Sequence, residues 1–250
     1  MKTIVIGDIH GCYKALKALL EKLGIWTDGA EEPGDVERAD ASADIDRLIF
    51  LGDLFDRGPQ SWEVFLAVQS LQERFGDRFV LLRGNHEDYL LQENLPFRMK
   101  LVWERVGRKT TVQSFKQHGM KMEEAAPWIR EHSVLFWRGE GIQCVHAGLK
   151  IDPPEANDTY TMLHDHGIVL LNRYNGPLTI VGHIALDKPA WFAGDGETVK
   201  VLEEGVSYPL PDIGTICIDT GCGKGGRLIG MVIENGQFIL HGVAERGNIN

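Results

Sequence analysis

Thr3-Ile4-Val5-Ile6-Gly7-Asp8-Ile9-His10-Gly11 sets an apolar, β-branched run directly before an Asp-x-His. The run is too short for a helix and is closed by Gly and Asp, the pattern of a buried parallel strand. Asp8 and His10 then stand at its carboxyl end, where open α/β sheets place their sites. The arrangement recurs. Leu48 to Leu51 precedes Gly52-Asp53-Leu54-Phe55-Asp56-Arg57-Gly58, and Phe79 to Leu82 precedes Arg83-Gly84-Asn85-His86-Glu87. Farther on, Ile142-Gln143-Cys144-Val145 ends in His146, and Leu178-Thr179-Ile180-Val181-Gly182 ends in His183. Five strand ends carrying oxygen and imidazole donors predict a metal centre, and a two-metal one.

At i and i+2 of an extended segment, Asp8 and His10 point to the same side and can reach one cation. Asp53 offers two oxygens and could bridge a pair of cations, with Asn85, His146 and His183 completing a second position. Mixed oxygen and nitrogen ligation suits Mn, Fe, Zn or Co better than Ca, which prefers oxygen alone. A single Asp-x-His is weak evidence and reads more readily as a capped turn with a satisfied histidine. A whole series, each member directly after a strand, does not.

Outward from these stretches the chain alternates helices and strands. Leu16, Leu19, Leu20 and Leu23 form one helical stripe, stopped by Gly24. A second helix is predicted over Ser61 to Phe75, with Trp62, Phe65, Leu66, Gln69 and Leu71 toward the sheet. Trp26 to Asp46 is rich in Asp, Glu, Ala and Gly and reads as an exposed insertion. Residues 89–132 are helical in pattern, carry no ligands of their own and read as a helical insertion that caps or lines the site. Strands are predicted at 141–145, 178–182, 197–202, 214–219, 228–233 and 237–243, the last two joined by a hairpin at Glu234-Asn235-Gly236. The expected fold class is α/β (α+β in some schemes), with residues 1–250 as one domain.

Composition excludes other classes. The chain is 43% hydrophobic and 25% charged, ordinary for a soluble globular protein. A net charge of −10 argues against bulk nucleic-acid binding, although bound cations and a few arginines can reverse the sign locally. Cys12, Cys144, Cys217 and Cys222 form no Cys-x-x-Cys and read as reduced thiols. The start lacks a signal-peptide pattern, and no stretch approaches the about 18 apolar residues of a membrane span. A cytoplasmic location is expected.

The stretches GDIHG, GDLFDRG and RGNHE are similar to the three signature motifs of the phosphoprotein phosphatase (PPP) family of metallophosphoesterases. Val145-His146-Ala147-Gly148 and Val181-Gly182-His183 resemble its two later metal-histidine motifs, so the likeness spans roughly residues 3 to 233. The resemblance implies the calcineurin-like fold: a central β-sandwich flanked by helices, with two metals at the carboxyl ends of the strands. It implies Asp8, His10 and Asp53 on one metal and Asp53, Asn85, His146 and His183 on the other, Mn being the first expectation. His86 matches the family's general acid and Asp56 the carboxylate that orients it, which suits the chemistry, because a neighbouring carboxylate stabilises an imidazolium beside two dications. The implied reaction is in-line attack by a metal-bridging hydroxide, with His86 protonating the leaving group.

Arg57 and Arg83 match phosphate-clamping positions, for which a planar guanidinium fork is suited; packing or pairing with a carboxylate is the competing reading for both. The family adds an Arg between its late histidines, often after Trp-Asn. Leu171-Asn172-Arg173 is the nearest match, without the Trp, which makes Arg173 a third candidate. Asp219-Thr220-Gly221 resembles the family's closing motif and is expected to shape the site floor. Gly221 to Arg227 is glycine-rich but precedes a strand, so it is no Walker loop. His164-Asp165-His166 reads as a solvated loop rather than a third metal site, and Trp62, Phe65, Trp103 and Trp128 read as core. Trp191 and Phe192 are placed in a connecting loop, where they could line a groove.

The likeness is nearest to small bacterial and bacteriophage-type enzymes. A serine/threonine protein phosphatase acting on a phosphorylated protein or peptide is the first expectation. The alternative is a symmetrical bis(5'-nucleosyl)-tetraphosphatase cleaving a dinucleoside polyphosphate, diadenosine tetraphosphate, to two ADP. The complete ligand set weighs against a silent scaffold, and the acidic charge against a nuclease.

Overall fold

The structure is a computed structural model that describes residues 1–26, 44–139 and 141–245. Nearly all of the acidic insertion expected over Trp26 to Asp46 lies outside the described residues. In chain order, β1 (Lys2–Ile6), α1 (Tyr13–Lys22), β2 (Arg47–Phe50), α2 (Ser61–Phe75) and β3 (Phe79–Leu82) build two β-loop-α-β units. The stretch expected to be helical contains α3 (Asn85–Leu91), α4 (Phe97–Arg105), α5 (Arg108–Gln117) and α6 (Ala126–His132). β4 (Ser133–Val134), β5 (Phe136–Gly139) and β6 (Ile142–Val145) follow, then α7 (Thr159–His164), α8 (Gly167–Leu170) and β7 (Leu178–Val181). The remainder is β8 (Ala190–Phe192), β9 (Val199–Val201), β10 (Ser207–Pro209), β11 (Thr215–Cys217), β12 (Arg227–Glu234) and β13 (Gln237–Ala244).

These strands form two sheets, ordered β10-β13-β12-β1-β2-β3-β4 and β5-β6-β7-β11-β8-β9. β1, β2, β3 and β4 pair in parallel, as do β6, β7 and β11. Side-chain alternation explains the sandwich. Val5, Ile49, Leu51 and Leu82 face Cys144, Ile180 and Ile216 in one buried cluster between the sheets. Their neighbours Ile4, Ile6, Leu48 and Phe50 turn outward onto Leu16, Leu19 and Leu20 of α1 and Val64, Val68 and Leu71 of α2. The second sheet covers its outer face likewise, with Val145, Val181 and Cys217 under Met162, Ile168 and Val169. Both faces of the parallel strands are buried, so their sequences read as unbroken apolar runs. Fully burying each such side chain contributes about 1.5–3 kcal/mol.

Two local readings change. The buried stripe of α2 is Val64, Phe65, Val68, Leu71 and Phe75, while Trp62 and Leu66 are only half-buried; tertiary packing rotated the face chosen from the aromatics. Trp191 and Phe192 lie in β8 rather than a connecting loop, because three residues are too few to show alternation. The β12–β13 hairpin turns on Asn235 and Gly236, at φ of 52° and 72°, as a two-residue turn of this sequence requires. All four cysteines are free and buried. Among the described residues, no helix is long and apolar enough to cross a membrane.

Candidate active site

The five ligand-bearing stretches converge where β1, β2, β3, β6 and β7 end. Asp53 is the centre. Its Oδ1 accepts the His86 amide at 3.1 Å and lies 3.5 Å from His146 Nε2. Its Oδ2 lies 3.4 Å from His10 Nε2 and 3.8 Å from His86 Nε2. One carboxylate therefore addresses three imidazoles, His146 through Oδ1 and His10 and His86 through Oδ2. Ligand atoms of His10, Asp53 and His86 all lie within 4.8 Å of one another, and so do those of Asp53, His146 and His183.

The backbone sets this up. His10, Asp53, Asp56, Arg57 and His183 all have φ between 48° and 70°, the left-handed region that non-glycine residues seldom occupy and that clusters at functional sites. The expected geometry of an extended Asp8-x-His10 is thus replaced by a left-handed turn that still brings both inward. Two glycines make room. A Cβ on Gly84 would collide with Asp53, and one on Gly182 with the Asp8 carboxylate.

Tautomers follow from the hydrogen bonds. His10 Nδ1 donates to the Phe55 carbonyl at 2.9 Å, and His146 Nδ1 to the Leu51 carbonyl at 2.8 Å. Each Nε2 lone pair is left facing acceptors: Asp53 for His10, and Asp53 with Asn85 Oδ1 at 3.1 Å for His146. Acceptors facing acceptors are reconciled by a shared proton or a cation. Asp8 Oδ2 accepts the His183 amide at 2.9 Å, yet Asp8 Oδ1, His10 Nε2 and His183 Nε2 are buried without a hydrogen-bond partner. Orphaned buried donors and acceptors are costly, and His10 and His183 each stand in a cluster of close ligand atoms that shares Asp53. The donor set therefore fits a pair of cations.

Electrostatics agree. Burial, and then Asp219 and Asp53, push the Asp8 carboxyl well above its ordinary range. Burial lowers His10 well below its usual value, and burial with neighbouring His146 takes His183 down to about 3. Neutral imidazoles are the form that binds metals. Asp53 is the exception: burial would raise it, but His146, His86, His10 and His183 together hold it below the usual carboxylate range.

A family model described as calcineurin-like phosphoesterase matches residues 1–210. The chain is a calcineurin-like metallophosphoesterase. It is 30% identical over 256 residues to the asymmetrical bis(5'-nucleosyl)-tetraphosphatase PrpE of a Geobacillus species, covering 91% of this chain and 89% of the relative. It is 29% identical over 158 residues to the symmetrical bis(5'-nucleosyl)-tetraphosphatase of Pseudomonas entomophila, across 62% of this chain and 44% of that protein. In fold it is similar to a metallophosphoesterase from Sphaerobacter thermophilus, with a TM-score of 0.59 at 16% identity over 97% of this chain and 88% of the other. Family membership implies two divalent cations.

A second buried network beside Asp53 is built around His86. Its Nδ1 lies 2.5 Å from Asp56 Oδ2. Burial would lower the His86 pKa, but Asp53 and the Asp56 bond raise it above the ordinary imidazole value. Asp56 also accepts from Trp103 Nε1 at 2.6 Å and Thr111 Oγ1 at 2.7 Å. Thr111 in turn accepts the Asp56 amide at 2.8 Å and lies 3.1 Å from Ser61 Oγ. Trp103 is on α4 and Thr111 on α5, so the helical insertion grips the carboxylate. Sequence reasoning placed Trp103 in the core and passed over Thr111. The available signal was a buried indole N–H, which needs a partner. Glu87 was also missed: fully buried, it accepts the amides of Asp53, Leu54 and Gly84 at 2.8–3.0 Å. It pins the Asp53 loop to α3.

The arginines differ. Arg57 is close enough for its charge to act on Asp8, His10, His86 and Asp219. Arg83 contacts Ser133 Oγ at 3.3 Å and Asp88 at 3.9 Å, bridging β4 and α3. Arg173 is exposed and lines a cavity of about 290 Å³ with Leu149, Lys150 and Asp165. Asp219 is buried beside Asp8, as expected of a site floor, and binds the Gly221 amide at 2.8 Å. The 164–166 stretch is not simply a solvated loop. His166 is exposed but its ring centroid lies 4.8 Å from that of His183, and half-buried His164 lies 6.4 Å from it.

Proposed function

We propose that this metallophosphoesterase hydrolyses a phosphoric anhydride at two divalent cations, with a dinucleoside tetraphosphate as its substrate. The observation that carries the hydrolytic reading is the Asp53 carboxylate, shared between two sets of histidines, in which His10 Nε2 and His183 Nε2, like an oxygen of Asp8, lack hydrogen-bond partners. Asp8, His10 and Asp53 would hold one cation and Asp53, Asn85, His146 and His183 the other, with Mn the preferred metal. When bound, the cations supply Lewis acidity and a water of lowered pKa.

The side chains do the rest. His86, whose pKa Asp53 and Asp56 raise against the effect of burial, delivers the proton from Nε2 to the departing oxygen. Asp56 holds the ring by Nδ1 and offsets its charge. Arg57 neutralises phosphoryl oxygens, with Arg83 and Arg173 as outer contacts on the remaining phosphates. Electrostatic stabilisation of this kind is commonly the largest single contribution to catalysis. Burial of the whole group excludes bulk water and strengthens each interaction.

The strand-end motifs recognise only the phosphoryl group, so phosphoserine or phosphothreonine and a dinucleoside tetraphosphate both suit them. The tetraphosphate is favoured because the relative matched across nine-tenths of the chain is named for it. Four buried free thiols support a cytoplasmic location. The test offers Mn-loaded protein a phosphopeptide and diadenosine tetraphosphate side by side. Faster release of nucleotides is expected, with two ADP reporting symmetrical cleavage and AMP plus ATP asymmetrical cleavage. Turnover of the phosphopeptide alone would refute the substrate assignment.

A further inference from the structure

One row of rings leads outward from the phosphoryl chemistry, and its outer members have no part in it. It starts at His86. Tyr89, one turn along α3, has its ring centroid 5.9 Å from His86. His164, at the end of α7, lies 6.0 Å from Tyr89 with the planes 37° apart. Tyr160, one turn back along α7, stacks on His164 at 4.8 Å and 27°. Burial falls along the row: His86 and Tyr89 are buried, His164 is half-buried, and Tyr160 is 69% exposed. A row of ring contacts, tilted at its inner end and stacked at its outer pair, thus runs from the proposed proton donor to an exposed ring.

We infer that Tyr160, backed by His164, is a stacking platform for the nucleobase on the leaving side of the substrate. This rests on the tetraphosphate reading above. Three physical points carry it. The row begins at the residue that faces the departing oxygen, so whatever leaves does so toward these rings. Tyr160 is already held by stacking on His164, so little side-chain entropy is lost when a second ring lies against it. A purine offers a planar π-face, whereas a phosphoserine or phosphothreonine side chain offers none. Stacking of a base on an aromatic side chain is worth about 1–3 kcal/mol, or about 5- to 150-fold in binding.

Neighbouring features fit the same use. Tyr89 is hydrogen-bonded to Asn85, so the inner end of the row is tied to the proposed metal ligands. His166 is exposed with its ring 4.8 Å from that of His183, which His164 also approaches at 6.4 Å.

The test compares kcat/KM for diadenosine tetraphosphate with kcat/KM for p-nitrophenyl phosphate, which carries no nucleobase, in Mn-loaded full-length protein. Tyr160→Leu should lower the ratio of the two by about 5- to 100-fold, chiefly through KM, and Tyr160→Phe should restore it. Because Tyr160 is exposed, both variants are expected to fold, and unchanged circular dichroism and metal content verify that. If the wild type cleaves the tetraphosphate and the Tyr160→Leu ratio stays within twofold, the platform is refuted while the substrate reading stands. If the wild type cleaves p-nitrophenyl phosphate but no tetraphosphate, both are overturned.

Discussion

The strand-end cluster and the pocket around Asp56 are equally buried and built from the same kinds of side chain, yet their hydrogen bonding is opposite. Asp56 takes donors from His86, Trp103 and Thr111, and its own amide is bound by Thr111. Close by, Asp8 Oδ1, His10 Nε2 and His183 Nε2 have no hydrogen-bond partner. The fold completes one region by itself and leaves the other to be completed by cations. A satisfied network rigidifies, while an unsatisfied one is costly unless something enters it. In the proposed mechanism the contrast also divides the labour: the first region orients a proton, the second receives charge.

The sharpest way to break that comparison is at Asp53. Asp53→Asn removes the charge that both sets of histidines face, and should lower kcat by at least about 10³-fold, several kcal/mol of lost charge stabilisation. Elemental analysis should then find fewer than two metals per chain. A variant that kept both ions and its turnover would end the two-cation account.

His86→Asn comes next, expected to cost about 10²–10⁴ in kcat while metal content stays at the wild-type level. The loss should be larger for phenyl phosphate than for 2,4-dinitrophenyl phosphate, whose leaving group needs no proton. Equal losses on both would remove His86 from the role of acid.

Trp103→Phe and Thr111→Val each delete one donor to Asp56 while keeping shape. Hydrogen bonds to charged groups are worth about 1.5–3 kcal/mol, so kcat should fall about 10- to 100-fold, with the same leaving-group bias as His86→Asn and no loss of metal. An effect on stability alone, without that bias, would show that these two side chains merely pack.

The smallest effect is expected at the open edge of the sandwich, where Trp191, Lys200 and Tyr208 line a groove of about 220 Å³ that contains none of the proposed ligands. Lys200 sits 4.7 Å over the Tyr208 ring, an exposed contact worth about 0.5–1 kcal/mol. Lys200→Ala should shift thermal stability slightly and leave kcat/KM for the tetraphosphate unchanged. A raised KM would bring this groove into substrate binding.

Much of the site is legible in the sequence because its ligands are local events. Each is the residue that ends a short buried strand, and burial on both faces writes those strands as plain apolar runs. Trp103, Thr111 and Glu87 were not legible, since each acts across a long gap in the chain, at Asp56 or the Asp53 loop. Trp191 and Phe192 were misplaced because β8 is too short to show a period. Tyr160 and His164 carry no motif; their stacking depends on how α7 meets α3.

The amino-acid sequence alone determined the family, the parallel strands, the ends that carry Asp8, His10, Asp53, Asn85, His146 and His183, and the pairing of His86 with Asp56. Only the tertiary structure decided which oxygen of Asp53 faces which imidazole, which buried atoms stay without partners, what grips Asp56, and where an exposed ring meets the site. The reason is physical. Strand ends and turns are set by neighbours in the chain, whereas the partner of a buried polar atom is chosen by packing between segments far apart in it.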